Sequence, residues 1–304
     1  MTSEQAVSFP RRPRGVPADD GHLVPVAAIL AVLLVVWYLA AVPMNRVVAE
    51  PFLARTDGSL AEQLRVSWSL ERAVLPAPHQ IVDELWRTVF TVLPTKPRSL
   101  LYHCWITLSS TLLGFLMGSA LGIGLAIAIV HVKTLNQSMM PWIIASQTIP
   151  ILAVAPMVIV VLGSIGLTGL VPKSIISTYL CFFPVTIGMV KGLKSPEAMH
   201  LDLMRTYDAS TGQVLSKLRW PASLPFLFAS LKVAVAIALV GAIVGELPTG
   251  AQSGIGARLL NGSYYGQTTQ IWAALVAASI MAAGLVTSVG LIERLTGRWL
   301  GGRP

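Results

Sequence analysis

Charge is what this sequence has least of. Asp, Glu, Lys and Arg make up only 12% of its 304 residues, while 54% are hydrophobic. Soluble domains carry roughly twice that share of charge. Leu23 to Asn45, Thr134 to Pro172 and Leu259 to Ile292 contain no charged residue at all. Each run exceeds the roughly 18 apolar residues that argue for a bilayer-spanning helix. Such a composition excludes a secreted, cytosolic or nucleic-acid-binding globule. Cysteine is nearly absent: Cys104 and Cys181 stand alone in apolar context, without a CxxC or a nearby His cluster. Both read as small buried residues.

Missing motifs narrow the chemistry further. There is no GxxxxGK[ST], and the dipeptide Gly-Lys never occurs, so no phosphate-binding loop is present and any energy from ATP must come from another chain. No HExxH or GxSxG occurs, and His22, His79, His103, His131 and His200 are scattered. Neither a catalytic residue nor a metal site is expected, no cofactor is implied, and the chain reads as no enzyme.

What is present is a set of apolar segments. They predict an all-α polytopic membrane protein with six spans, near 23–43, 104–130, 139–163, 171–190, 224–247 and 270–292. The first span follows a polar tail, 1–22, and is longer than the core of a signal peptide, which makes it a retained helix. The third holds Pro141, Pro150 and Pro156. Proline frees backbone groups that must find protein partners in lipid, so one kinked span partly inside a bundle is expected there. In the second span Gly114, Gly118 and Gly122 share one helix face, the pattern of close helix packing.

The net charge of +8 is spread along the chain beside the apolar runs, as membrane orientation requires and nucleic acid binding does not. With the N-terminus inside, the cytoplasmic segments hold Arg11, Arg12, Arg14, Lys133, Lys191, Lys194, Arg205, Lys217, Arg219, Arg294, Arg298 and Arg303. The short outer connections hold only Lys173 and Arg258. Both termini are therefore expected in the cytoplasm, with 293–304 as the C-terminal tail. Between the first two spans, 44–103 forms a long outer loop. Within it Ile81, Leu85, Val89 and Val92 recur at helical spacing, which predicts an amphipathic helix on the outer membrane face or on the bundle. Residues 44–75 suggest no role.

The largest cytoplasmic connection, 191–223, joins the fourth and fifth spans of the 104–292 core. A connection of that length in a compact protein carries structure and a task. Its composition predicts two short helices, Glu197 to Tyr207 and Gln213 to Leu218, joined by a turn at Ala209-Ser210-Thr211-Gly212 and presenting a knob to a cytoplasmic partner.

Here the residues carry a resemblance. Asp202 to Pro221 resembles the EAA loop of ABC importer permeases, Glu-Ala-Ala-x3-Gly-x9-Ile-x-Leu-Pro. Asp202 stands at the Glu position, Leu203 and Met204 at the two Ala positions, Asp208 at Gly, Leu218 at Ile and Pro221 at Pro. Asp208 and Trp220 depart from the pattern. Asp is among the few non-glycine residues tolerated in a left-handed turn, so the first departure preserves the loop. Further strings resemble the nitrate/sulfonate/taurine-type branch: Thr148-Ile149-Pro150 with Pro156, Gly163 and Gly166, then Phe183-Pro184, Gly192-Leu193, Gly245-Glu246 and Gly254-Ile255-Gly256. In order they cover about 100–295, and 44–75 looks like an insertion.

The resemblance implies the permease subunit of a bacterial inner-membrane ABC importer. Its expected partners are a second permease subunit, usually the same chain, two ATPase subunits, an extracytoplasmic binding protein and membrane lipid. Asp202, Leu203, Met204, Arg205, Asp208, Ala209, Ser210, Leu218 and Pro221 would couple to the ATPase. Glu246, Pro150 and Pro156 are weaker candidates for the translocation pathway, and Glu246 also reads as a helix-end carboxylate bonded to amides of the next turn. An ion-coupled secondary transporter is the alternative, and it would need ionisable residues deep in the spans and an inverted repeat. Only Glu246 and Lys232 come close. The substrate is not readable; few charges in the spans mildly favour a polar neutral or aromatic solute over an anion.

Overall fold

The computed structural model describes residues 23–54, 59–248 and 253–299. The expected N-terminal tail and the last residues of the C-terminal tail lie outside them. Among the described residues every regular element is helical. The chain divides into two compact units, residues 1–70 and 71–304.

In the first unit α1 (Leu23–Leu53) continues ten residues past the expected span end, through Pro43 and Pro51. A short α2 (Leu60–Ser69), capped by Ser59, folds against it. Asn45 Nδ2 donates to the Ser67 carbonyl at 3.0 Å, and Trp68 Nε1 donates to that of Tyr38 at 3.1 Å. The Tyr38 and Trp68 rings meet edge to face at 5.4 Å, a geometry that adds to their burial. Among the described residues of this stretch, 44–53 continue α1 and 60–69 form α2, so both parts are helical and packed together.

The second unit is built around α7 (Leu170–Leu193), which lies between α4 (Leu100–His131) and α10 (Trp220–Gly245). Small residues let these backbones approach. A Cβ on Gly114 would lie 2.3 Å from Cβ of Ser177, one on Gly118 would lie 2.9 Å from that of Cys181, and one on Gly122 would lie 2.8 Å from the Phe182 carbonyl oxygen. On the other side Gly188, Gly192, Gly241 and Gly245 meet Ser230, Ser223, Ser177 and Lys173. The glycine stripe is thus helix packing, in which close van der Waals contact replaces a hydrophobic drive that lipid cannot supply. Ile129, Cys181, Val185, Met189, Leu193 and Leu227 fill the core between the three helices.

The third span is broken at a proline as expected, and more sharply than a kink. Two 14-residue helices, α5 (Lys133–Ser146) and α6 (Ile151–Ser164), meet at 98°. Each is only about 21 Å long. The break has a local cause, because Pro150 lacks an N–H and its ring pushes Ile149 out of the α region. Pro141 and Pro156 are instead accommodated within the two helices. Among the described residues five helices are long and apolar enough to cross a membrane, and the count is six if the bent pair is one span.

The amphipathic helix is present as α3 (Pro78–Trp86), extended by a π-helical turn, Arg87–Thr91. Ile81 is buried, and Leu85 and Val89 pack against Leu100, Ile255 and Ala274. This face lies on the bundle. Val82, Trp86, Phe90 and Leu93 remain exposed. Near the C-terminus, α11 (Ile255–Tyr264) precedes α12 (Thr268–Trp299), which runs beyond the expected span end at 292.

Candidate functional site

The 191–223 connection begins where α7 ends at Leu193, and Lys194 Nζ ties that end to Asn136 Oδ1 at 3.2 Å. Next comes α8 (Ala198–Thr206), whose end is a Schellman cap. The Ala209 amide donates to the Met204 carbonyl at 3.0 Å and the Asp208 amide to that of Arg205 at 2.9 Å. This motif needs a left-handed residue at the first position past the cap. Asp208 occupies it with φ 50°, the one non-glycine residue at positive φ among the described residues. The family glycine position is therefore a left-handed turn in this chain, as the sequence suggested.

Beyond the turn Ser210 closes a capping box. Its hydroxyl accepts from the Gln213 amide at 3.4 Å, and Gln213 Oε1 accepts from the Ser210 amide at 2.8 Å. The short helix expected over Gln213 to Leu218 begins two residues earlier, as α9 (Thr211–Val214), and is not separate. Instead it passes through a π-helical turn, Leu215–Arg219, into α10, giving one helix from Thr211 to Gly245. The wide turn sits where Pro221 cannot donate to the carbonyl of Lys217. Arg219 Nη1 donates to the Leu193 carbonyl at 3.2 Å, which anchors the returning chain to the end of α7.

These constraints decide what each motif residue presents. Met199, Leu203 and Tyr207 follow i, i+4, i+8 spacing and are 69%, 53% and 77% exposed, an apolar stripe along α8. Asp202 and Arg205 flank it as an exposed pair at 2.9 Å. Met204, Ala209 and Leu218 are half-buried and Pro221 is exposed. Ala209 lines a cleft of about 310 Å³ with Arg205, Arg219 and His131. So Asp202, Leu203 and Arg205 lie on the outward surface, while Asp208 and Ser210 shape the turn.

The weaker candidates are not brought together with this surface. Pro150 and Pro156 are exposed beside the α5/α6 bend. Glu246 lies at the other end of α10, about 39 Å of helix away, and is 0% exposed. Its carboxylate accepts from Thr107 Oγ1 at 2.9 Å, from the Gly256 amide at 2.9 Å and from Lys173 Nζ at 3.5 Å. The bond to the following turn is the geometry anticipated for a helix-end carboxylate. Gly254 has φ +119°, and a Cβ there would lie 2.1 Å from Glu246 Cδ. The Gly-x-Gly segment is thus wrapped around the carboxylate.

Sequence reasoning missed the partners of Glu246. Thr107 Oγ1 also accepts from the Ile255 amide at 2.9 Å. His103 Nδ1 accepts from the Gly254 amide at 2.9 Å, so its proton sits on Nε2, which donates to the Pro97 carbonyl at 2.8 Å. Lys173 Nζ donates to the Ser253 carbonyl at 3.0 Å. Together these bonds bolt the start of α11 to α4, α7 and α10. Only the spacing of His103 and Thr107, four residues apart on one helix face, hinted at such a cluster. Arg258, one turn further along α11, is pulled below the usual guanidinium pKa by burial, and Glu84 opposes the shift. The other ionisable residue near a span, Lys232, pairs with Glu293 of α12. Among the described residues no three His, Cys, Asp or Glu converge as metal ligands.

The model of the binding-protein-dependent transport system inner membrane component family matches residues 118–301. The riboflavin transport system permease protein RibX of Chloroflexus aurantiacus is 30% identical over 74% of this chain and 80% of its own length. The formylaminopyrimidine transport permease protein ThiX of Halalkalibacterium halodurans is 30% identical over 64% of this chain and 75% of its own. The putative aliphatic sulfonates transport permease protein SsuC of Bacillus subtilis is 28% identical over 75% and 85%.

Proposed function

Since the chain belongs to the binding-protein-dependent transport system inner membrane component family, and is thus a multi-pass ABC importer permease, we propose that its 191–223 segment is where ATP hydrolysis on partner subunits couples to transport. The exposed apolar stripe Met199-Leu203-Tyr207 at the position of the family motif carries this reading. Three large apolar side chains in a row on a polar connection are costly to leave in water and suit a partner groove. Asp202 and Arg205 would supply polar contacts at its rim. The left-handed turn at Asp208 and the Ser210 cap fix how α8 joins the returning helix, which the bond from Arg219 to Leu193 ties to the end of α7. A push on α8 would therefore be passed to α7 and α10 rather than absorbed by a loose loop.

In this reading two copies of the chain, two ATPase subunits and an extracytoplasmic binding protein form the importer, with both termini in the cytoplasm. ATP-driven closure of the ATPases shifts the helical core between inward-facing and outward-facing states. The cargo is a small organic solute, of the heterocyclic or sulfonated kinds named for the relatives. Photocrosslinking tests the docking assignment. A photoreactive phenylalanine analogue in place of Tyr207 should capture the ATPase subunit, while one in place of Lys96, at the opposite end of the bundle, should not. Equal capture from both positions, or none from Tyr207, would defeat it.

A further inference from the structure

At the end of the bundle opposite α8, three arginines and one carboxylate line the same cleft. The Glu84 side chain is 7% exposed; Arg87 Nη2 lies 2.6 Å from its Oε2, and Arg258 Nη2 lies 3.7 Å from its Oε1. The second distance is too long for a hydrogen bond. Among the described residues Arg258 makes no side-chain hydrogen bond, although its side chain is only 13% exposed. A guanidinium carries five N–H donors, and those of Arg258 reach solvent with no acceptor bound to them among the described residues. They line two adjoining clefts of about 360 and 540 Å³, which share Arg98, Arg258 and Gln270.

The charge around these clefts does not balance. Arg98 has no carboxylate within 4.0 Å among the described residues, and Glu84 can neutralise only one of the three cations. Arg258 is also held in place, because the start of its helix is fixed by the bonds to Glu246, Thr107 and His103. Such a fork is organised before any ligand arrives, and its planar donors match carboxylate, sulfonate and phosphate geometry. The scarcity of charge inside the spans therefore does not extend to their ends.

We propose that Arg98 and Arg258, at the junction of the two clefts, form a binding site for an oxyanion group, carried either by a small solute or by a lipid headgroup. Glu84, ion-paired with Arg87, lies beside Arg258, and Gln270 offers a neutral donor at the rim. The site is independent of the docking surface on α8, because it asks nothing of the ATPase.

The test uses the full chain in phosphatidylcholine nanodiscs, titrated calorimetrically with inorganic phosphate, methanesulfonate and acetate at constant ionic strength set with chloride. A parallel arm replaces part of the lipid with phosphatidylglycerol and reads retained lipid by native mass spectrometry. Saturable binding of a free anion assigns the site to a solute; retention of phosphatidylglycerol alone assigns it to a headgroup. In either case Arg98→Gln should weaken binding about 10- to 100-fold, the weight of a charge-assisted hydrogen bond. Arg258→Gln should do the same. Arg98 is exposed and holds no buried contact, so its variant keeps the test valid even where Arg258→Gln folds poorly. Absence of both free-anion binding and retained phosphatidylglycerol, or binding unchanged in Arg98→Gln, would overturn the site.

Discussion

Replacing Glu246 by Gln separates a structural bolt from a pathway residue, because the two roles fail differently. The carboxylate takes three donors, from Thr107, the Gly256 amide and Lys173. A carboxamide keeps one acceptor oxygen and turns an N–H2 group toward donors. Lys173, itself 10% exposed at the side chain, is left with the Ser253 carbonyl alone. Removing one partner of a buried pair costs about 3–5 kcal/mol, because the remaining charge stays desolvated. For a chain of this size that corresponds to a melting temperature lower by roughly 5–8 °C. Thermal unfolding in nanodiscs, paired with transport per folded complex in proteoliposomes, reads both quantities. The expected result is a large loss of stability with transport per folded complex retained. A double-mutant cycle with Lys173→Met should show a coupling of about 0.5–3 kcal/mol between the two positions. Unchanged stability with transport abolished would refute the bolt and make Glu246 a residue of the translocation pathway.

Other consequences are as specific. Asp208→Gly restores the residue that a left-handed cap favours and should be neutral or raise stability by up to about 1 kcal/mol, with ATPase binding unchanged; loss of binding would mean that the Asp208 carboxylate touches the partner. Ser177 has a buried hydroxyl without a hydrogen-bond partner among the described residues, so Ser177→Ala should hold or raise the melting temperature, whereas Gly118→Leu, which would drive a side chain into Cys181 at under 3 Å, should abolish folded protein on size-exclusion chromatography. In a cysteine-free background, a cysteine at Lys96 should react with an impermeant thiol reagent in intact cells and one at His200 should not; the reverse pattern would invert the topology.

The spans, the glycine stripe and the motif turn were legible because each rests on local chemistry. Hydropathy over 20 residues reports lipid, a four-residue glycine period reports one packed face, and Asp at the family glycine position reports a left-handed turn. The bend at Pro150 was only half legible. Proline signalled a break, but the 98° angle depends on what α6 packs against. The continuity from Thr211 to Gly245 was hidden by Gly212, which looked like a breaker and instead lies inside a capped first turn. Least legible was the cluster around Glu246. Thr107 and Lys173 lie 139 and 73 residues away, and no local pattern announces a contact at that separation. The same holds for Arg98 and Arg258, whose placement depends on that cluster.

The central claim is that α8 receives the force of ATP hydrolysis, and Leu203→Glu tests it most directly. Leu203 is half-exposed with no polar contact to lose, and surface changes of this kind usually alter stability by less than about 0.5 kcal/mol. At the centre of an interface the same change removes an apolar anchor and buries a charge, costing about 2 kcal/mol or more, or at least roughly 30-fold in affinity. The measurement is substrate-stimulated ATP hydrolysis by the permease, ATPase and binding protein reconstituted together. The account predicts a Leu203→Glu chain that folds and inserts like the wild type, fails to retain its ATPase and shows no stimulated turnover. Full stimulated turnover by that variant would contradict it.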